Sequence, residues 1–488
     1  AAQFRGPQDR TVRLSLPVPH HAFVQRWSGV GAMRGLTLRQ RQQLSFLTAC
    51  SGSIANLEVL LAREDCAYFG DEALSAAAGA GQLEVCRWLR RQDCSWCSSN
   101  LSAAAEGGHQ DVCEWLLASG CPWSQWAAGA AARGGHVGLM DWLLGTGQDS
   151  YSLFGAAAAG CDLPTLQRLH RTHLTEPLLY VAKESAMAAA AGSLTADWRA
   201  KVEWLEGQGF PRTVEACAEA VKQPDWRGRL EWLQQRGYPL NGYVAEAAAR
   251  VGVVDVLQYV LDSGVALGTG AASVAFVAAQ KGHLAVLQAL PVRGFDGVAA
   301  TAAAAAGGGH LPVVAWLVEA LGADKVLSAG VFASAAGSGN MELLAWLHDR
   351  GCPWDPEAFA YAAHTGCEEQ LEWLAARGCP MGEDGEPYAR AAGNDDLATL
   401  RCLQRLGCPL GPGSGKVFAR AIDCLRPARN SCQTLRLQRG LLWLLERVDS
   451  VVGWDAVEQA VPCVTWQDKR EVLLTWLRAE RAQRAQRV

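Results

Sequence analysis

Residues 103–123 read "AAAEGGHQDVCEWLLASGCPW", a pattern that recurs along most of the chain and therefore indicates the fold. Residues 335–354 read "AAGSGNMELLAWLHDRGCPW", and residues 304–317 read "AAAGGGHLPVVAWL". Each copy has paired alanines, a glycine turn, an apolar stretch with a tryptophan and, where the copy is complete, a closing glycine. Apolar residues spaced three and four apart predict amphipathic helices. The unit is therefore a helix, a turn, a second helix and a short loop.

Tryptophan gives the period of this unit. Trp88, Trp115 and Trp142 are each 27 residues apart. A fixed period of this length is typical of proteins built from stacked supersecondary repeats. About fourteen units fit between Ser45 and Arg478, several of them degenerate. We expect the tryptophans to form a structural ladder buried among the repeats, made of Trp88, Trp115, Trp142, Trp204, Trp232, Trp316, Trp346 and Trp373.

The other positions of the unit have physical reasons of their own. Small residues such as Ala104 and Ala105 let neighbouring helices approach closely. Gly108 supplies a backbone with positive φ at the turn. His109 and its equivalents stand where the second helix begins, and we expect most of them to accept a hydrogen bond from a free helix N–H. In many units a glycine five residues past the ladder position predicts a left-handed helix C-cap. Examples are Gly120, Gly351, Gly378 and Gly407, the last of which follows Cys402 in place of a tryptophan.

Composition narrows the class of protein. Half of the 488 residues are apolar, mostly alanine and leucine, which favours helices. The net charge of −5 gives no electrostatic argument for nucleic acid or an anionic membrane, so neither is predicted as a partner. No run is long and apolar enough to span a bilayer. Seventeen cysteines in a long chain fit a reducing compartment, so we expect a cytoplasmic or nuclear protein.

Three motifs could carry chemistry, and each has a structural explanation. The cysteine of Gly-Cys-Pro at 351–353 is replaced by Phe210 and Tyr238 in other units, which an apolar plug tolerates and a ligand or nucleophile does not. Cys94 and Cys97 lack the second ligand pair of a zinc site. The "GPGSGK" stretch at 411–416 lacks the spacing of a phosphate-binding loop. We predict no catalytic residue, no metal and no cofactor, and hence a protein that is not an enzyme.

The pattern resembles the ankyrin repeat. "GHLAVLQAL" (282–290) and "GHLPVVAWL" (309–317) are similar to its second-helix signature. The period is nearer 27 than 33 residues, and the Thr-Pro-Leu-His start of the first helix is absent. The resemblance implies an all-α, ankyrin-like helix-turn-helix solenoid with short inter-repeat loops and few or no β-hairpin fingers. The short, tryptophan-rich units with "GCPW" loops are similar to ankyrin repeat proteins of green algae.

Three regions follow along the chain. Residues 45–412 are predicted to form the repeat array, and residues 413–488 degenerate repeats and a C-terminal capping helix. Residues 1–44 do not fit the repeat and are predicted to be an N-terminal cap or the remnant of an upstream F-box-like module. Because the chain starts at Ala1, we expect that its natural N-terminus lies further upstream.

The resemblance implies a function that depends on shape. In ankyrin-like arrays the first helix and the loop line a concave surface, and the predicted partner-binding residues there are Glu106, Arg133, Arg250, Lys281 and His364. The leading hypothesis is a non-enzymatic scaffold for a protein partner. One alternative is the substrate receptor of a ubiquitin ligase, with ligase components as further partners. A second alternative is the regulatory part of an enzyme whose catalytic domain is missing.

Overall fold

A computed structural model describes the all-α fold over most of the chain. It covers residues 13–63, 65, 71–146, 153–173, 180–268, 270–290, 297–411, 414–423, 438–448, 474–479 and 481–482. These residues form helices and no strand, so the predicted all-α class without hairpin fingers is confirmed for them. Most of residues 413–488, predicted as degenerate repeats and a C-terminal capping helix, lie outside the described residues.

The helices alternate between the first and the second helix of a repeat, and the described residues contain fourteen such pairs, from α2 and α3 to α29 and α30. In chain order the helices are α1 (His20–Trp27), α2 (Leu38–Cys50), α3 (Ile54–Leu61), α4 (Asp71–Gly79), α5 (Leu83–Arg91), α6 (Ser98–Gly107), α7 (Gln110–Ala118), α8 (Ala127–Arg133), α9 (Val137–Gly145), α10 (Leu153–Gly160), α11 (Leu163–His173), α12 (Tyr180–Ala191), α13 (Trp198–Gly207), α14 (Val214–Ala220), α15 (Trp226–Gln235), α16 (Gly242–Val251), α17 (Val254–Asp262), α18 (Gly270–Lys281), α19 (Leu284–Ala289), α20 (Val298–Gly307), α21 (Leu311–Leu321), α22 (Ala323–Val326), α23 (Ala329–Ser338), α24 (Met341–Asp349), α25 (Pro356–Thr365), α26 (Glu368–Ala376), α27 (Glu386–Gly393), α28 (Leu397–Arg405), α29 (Ser414–Asp423) and α30 (Gln438–Val448).

The chain divides into two compact units. The first unit comprises Ala1–Val18, Phe46–Ile54 and Phe69–Gly322. The second unit comprises Pro19–Ser45, Ala55–Tyr68 and Ala323–Val488. Most of the N-terminal region that does not fit the repeat is therefore grouped with the C-terminal repeats.

First helices pack against first helices in both units. In the first unit the row runs from α4 to α20, and in the second from α23 to α29. The paired alanines explain this packing, since Ala104 and Ala105 of α6 are fully buried. A Cβ on Gly107 would lie only 2.4 Å from the carbonyl oxygen of Gly79 in α4. The first helices are thus too close together for larger side chains at these positions.

The turn between the two helices of a repeat is held by backbone bonds and covered by the next repeat. Gly108 has φ of +80°, and the His109 N–H donates to the Ala104 oxygen at 3.0 Å. A Cβ on Gly108 would lie 2.4 Å from the imidazole of His136, which belongs to the following repeat. Glycine is therefore required there both for its backbone conformation and for the space it leaves.

The predicted cap role of the turn histidines is wrong. None of the side chains of His109, His136, His283 and His310 accepts a bond from its own helix N-terminus. They lie instead against the turn glycine of the preceding repeat, and His310 Nε2 is 3.1 Å from the Gln280 carbonyl oxygen. Asn340, at the equivalent position, does cap its helix through Leu343 N–H at 3.1 Å.

Each second helix ends in a Schellman motif wherever Gly-Cys-Pro occurs. Gly351 has φ of +67°, its N–H donates to the His348 oxygen at 2.9 Å, and the Cys352 N–H donates to the Leu347 oxygen at 3.0 Å. The side chain of Cys352 is only 6% exposed, and burial raises the pKa of its thiol to about 11. A protonated, buried thiol is a packing group here. The same positive φ occurs at Gly120, Gly378 and Gly407.

Most of the ladder tryptophans are less buried than the sequence predicts. Trp88 is buried, whereas the other seven ladder tryptophans are half-buried. In several repeats an arginine four residues later covers the outer face of the indole. Arg350 lies 3.8 Å from the Trp346 ring centre, and Arg377 lies 4.1 Å from that of Trp373. These rings are partly shielded by cation–π contacts.

One irregular repeat of the first unit contains a buried lysine. The turn between α12 and α13 is longer than usual, and Lys201 of α13 has no exposed surface. Its Nζ donates to the carbonyl oxygens of Ala158 and Cys161 at 2.7 and 2.9 Å, and to Ser193 Oγ at 2.7 Å. Burial lowers the pKa of Lys201 to about 8. The ammonium links three chain segments of neighbouring repeats.

Candidate protein-binding surface

Large apolar side chains are exposed mainly on the first helices of the first unit. Trp126, Tyr243 and Phe276 are 49%, 45% and 39% exposed. Tyr180, Val181 and Val251 are exposed as well, and all six lie in a first helix or immediately before one. Among the described residues 71–322, one other large apolar residue is exposed, Leu194, in the long turn after α12. We call the solvent-exposed side of the first helices from α6 to α20 (α6, α8, α10, α12, α14, α16, α18 and α20) the first-helix face.

Helical spacing explains why this face is open. Tyr243, Glu246 and Arg250 follow one another at three and four residues, and they form the solvent side of α16. Val244 and Ala248 on the other side are fully buried. The first helix therefore packs on one side through small apolar residues and presents variable side chains on the other.

Polar contacts cross from repeat to repeat on this face. Glu106 of α6 and Arg133 of α8 form an ion pair at 3.9 Å, with side chains 54% and 53% exposed. Glu246 of α16 accepts a hydrogen bond from the Ser273 hydroxyl of α18. Exposed pairs of this kind contribute little to folding stability. Their side chains are available to a partner at small cost.

The five predicted binding residues each lie at the C-terminal end of a first helix. Glu106, Arg133, Arg250 and Lys281 are exposed in the first unit, and the structure brings only the first two together. Lys281 precedes its turn glycine by one residue instead of two. Gln280 holds the position equivalent to Glu106.

His364 belongs to the second unit and is half-buried. Its carbonyl oxygen accepts a bond from the side-chain amide of Asn394 at 2.9 Å, and its Nδ1 is 3.1 Å from the same nitrogen. It therefore takes part in contacts between repeats.

Sequence reasoning missed the exposed aromatic residues. Phe276 precedes its turn glycine by six residues, where Ser102 and Ala303 stand in other repeats. A large apolar residue at a position held by small or polar residues in other repeats was the available signal. The exposed Tyr243 could likewise have been found from its spacing to Glu246.

An acidic cluster in the second unit has the geometry of a candidate metal site. Ligand atoms of Glu368, Glu372 and Cys402 lie within 4.8 Å of one another. Arg405 donates to both carboxylates, at 3.1 and 2.6 Å, and Arg34 also donates to Glu372. Burial raises the pKa of Cys402 to about 12, so the thiol stays protonated. These arginines already neutralise the cluster.

The fold and these surfaces define the class: the chain is an all-α helical-repeat protein. No protein-family model and no curated protein matches it. Two crystal structures of the pentatricopeptide repeat protein PPR10 with an 18-nucleotide psaJ RNA element match, one of them a variant with three cysteines replaced by serine. Each is 12% identical, with a TM-score of 0.29, and covers 94% of this chain and 79% of PPR10. At that TM-score the likeness carries no argument about ligands.

The prediction that excludes nucleic acid as a partner is wrong. Both matched structures are helical-repeat proteins crystallised with RNA. A helical-repeat fold therefore does not exclude nucleic acid as a partner. The net charge of −5 does not exclude it either. For the membrane, no described helix is long and apolar enough to cross a bilayer.

Proposed function

We propose that the protein is a non-enzymatic scaffold that binds a protein partner on the first-helix face. The observation that carries the proposal is the concentration of exposed aromatic and aliphatic side chains on that face. Two of these side chains, Tyr243 and Phe276, lie on the neighbouring first helices α16 and α18. Exposed apolar residues rimmed by polar ones are typical of protein interaction sites.

The mixture of charges favours a protein over RNA. Arg133, Arg250 and Lys281 lie on the same first helices as, or on helices next to, the acidic Glu106 and Glu246. A surface for the phosphate backbone is expected to be basic throughout. Protein interfaces instead combine aromatic anchors with charges of both signs around them.

The proposal is tested by comparing the proteins recovered with the wild type and with a Tyr243→Ser/Phe276→Ser variant. Tagged chains are expressed in their native cells, crosslinked, purified and analysed by quantitative mass spectrometry, with and without nuclease. Because aromatic anchors at the centre of an interface contribute about 2 kcal/mol or more each, we expect specific proteins to fall by at least ~10-fold with the variant. Nuclease should leave them unchanged.

Leu194→Ser is the matched control, since it also removes an exposed apolar side chain from the first unit but lies outside the first-helix face. It should keep all partners. Retention of the same partners by the double variant would overturn the proposal. Recovery that disappears with nuclease would assign the face to RNA instead.

We further propose that the repeats are short relatives of the ankyrin repeat. The order of first helix, glycine turn and second helix supports this, as does the packing of first helix on first helix. A reducing location, cytoplasm or nucleus, is supported by the described cysteines, which form no disulfide. The ubiquitin-ligase alternative requires an F-box-like module, and the enzyme alternative requires a catalytic domain. No observation on the described residues favours either alternative.

A further inference from the structure

A segment near the N-terminus lies on the glycine turns of distant repeats in the second unit. We call residues 31–45 the arm. The groups that it contacts are the turns at Gly339 and Gly366 and the starts of α26 and α28, which we call the turn edge. Contacts between the two join residues more than 300 positions apart in sequence, for example Arg41 and Asp396, at 355. The arm, which includes residues 38–45 of α2, therefore binds repeats that are far from it in sequence.

The backbone of the arm completes a helix N-terminus. Cys367, the N-cap of α26, gives no side-chain cap to its helix. The Arg34 carbonyl oxygen instead accepts from the Glu369 N–H at 3.2 Å. Thr37 packs closely on Gly339, since a Cβ added to Gly339 would lie 2.4 Å from the Thr37 methyl group. A polypeptide carbonyl thus satisfies a donor that the repeat leaves open.

Arg41 is the buried anchor of the arm. Its two Nη atoms donate to both carboxylate oxygens of Asp396, at 3.1 and 2.6 Å. The same atoms donate to the Asp65 and Gly366 carbonyl oxygens at 2.9 and 2.8 Å. The side chains of Arg41 and Asp396 are 3% and 2% exposed. Loss of either partner would leave a buried charge without compensation.

Arg34 forms the outer contact of the arm. It donates to Glu372, lies 3.8 Å from Glu368, and remains 40% exposed. Arg405, the last residue of α28, donates to the same two carboxylates. Each of the two arginines of the arm, seven residues apart, thus pairs with a carboxylate of the second-unit repeats.

We propose that the turn edge is a binding site for a polypeptide segment with two arginines seven residues apart, which the arm fills in cis. A partner segment of the same chemistry can take the place of the arm, since every contact of the arm is non-covalent and its outer arginine is open to solvent. The second arginine must lie in the first turn of a helix, as Arg41 does after the Thr37 and Gln40 caps of α2. This surface is separate from the first-helix face and does not depend on it.

The test uses the full chain and a fluorescent peptide of residues 31–45. In the wild type the arm competes at a high effective concentration, so the peptide should bind weakly. In an Arg34→Ala/Arg41→Ala chain the arm is weakened while the turn edge is intact. We expect the peptide to bind this variant at least ~10-fold more tightly than the wild type in fluorescence anisotropy.

Two controls make the result specific. A peptide with Arg41→Ala should not bind, and an added Asp396→Asn in the chain should abolish binding of the native peptide. Circular dichroism shows whether the double variant is folded. If it is not, Arg34→Ala alone, which removes only the outer contact, should still increase peptide affinity. Failure of the peptide to bind any folded variant, or binding that ignores Asp396, would overturn the proposal.

Discussion

Lys201 is a fully buried cation in the first unit. An ammonium without solvent contact is tolerated only because Ala158, Cys161 and Ser193 accept its three hydrogens. Ala158 and Cys161 lie in the preceding repeat, and Ser193 lies in the long turn. The Lys201 side chain therefore links α13 to the preceding repeat by hydrogen bonds.

Lys201 also makes stability depend on pH. Burial holds its pKa in the folded chain at about 8, below the 10.5 of a solvated lysine. Between these values the unfolded chain binds more protons, so stability should rise as pH increases. We expect the wild type to gain stability over Lys201→Met between pH 7.5 and 10, by roughly 1 kcal/mol per pH unit. Urea unfolding at both pH values measures this gain.

The exposed Lys222 provides the control for this experiment. Lys222→Met should follow the wild type at both pH values. A constant difference between the wild type and Lys201→Met across the pH range would show that Lys201 is not held in this environment.

Local signals could be predicted residue by residue, and distant partners could not. Gly351 and Cys352 form a motif that is complete within six residues, and the exchange of Cys352 for Phe210 or Tyr238 in other units already indicated packing. Lys201 reads as a solvated lysine in sequence, because its acceptors at Ala158 and Cys161 lie about 40 residues earlier.

At the scale of the element, the second helix is more exposed than its apolar pattern suggests. The i, i+3, i+4 spacing gives the buried side correctly, as Leu343, Leu344 and Leu347 show in α24. Trp346 lies beside that side, where the ring is half-buried and Arg350 covers it. The apolar pattern predicts the spacing of the ladder tryptophans. How deeply each tryptophan ring is buried depends on the side chains of neighbouring repeats.

This depth predicts different costs for two ladder substitutions. Trp346→Ala should destabilise the second unit by roughly 2 kcal/mol, as expected for a partly buried aromatic. Trp88→Ala should cost about 3–5 kcal/mol in the first unit, as for a fully buried one. Because repeats couple mainly to their neighbours, each change should open a subset of helices. Urea unfolding with hydrogen exchange measures both effects, and equal costs would contradict the assigned depths.

At the scale of the whole molecule, each unit presents one distinct surface. The first unit exposes aromatic residues on its first helices, and the second binds the arm along its turn edge. The repeat period made the helical array predictable from sequence. It did not predict the docking of the arm, since Arg34 and Arg41 carry no repeat signal and meet their partners only in the folded chain.

The claim that the first-helix face contacts a protein is tested by site-specific photo-crosslinking in native cells. A photoreactive phenylalanine analogue is placed at Phe276, or at the exposed Gln258 on the second helix α17 as the reference site. We predict light-dependent protein adducts from position 276 that are resistant to nuclease, and none from position 258. Equal adducts from both positions, none from either, or RNA adducts from position 276 would contradict the claim.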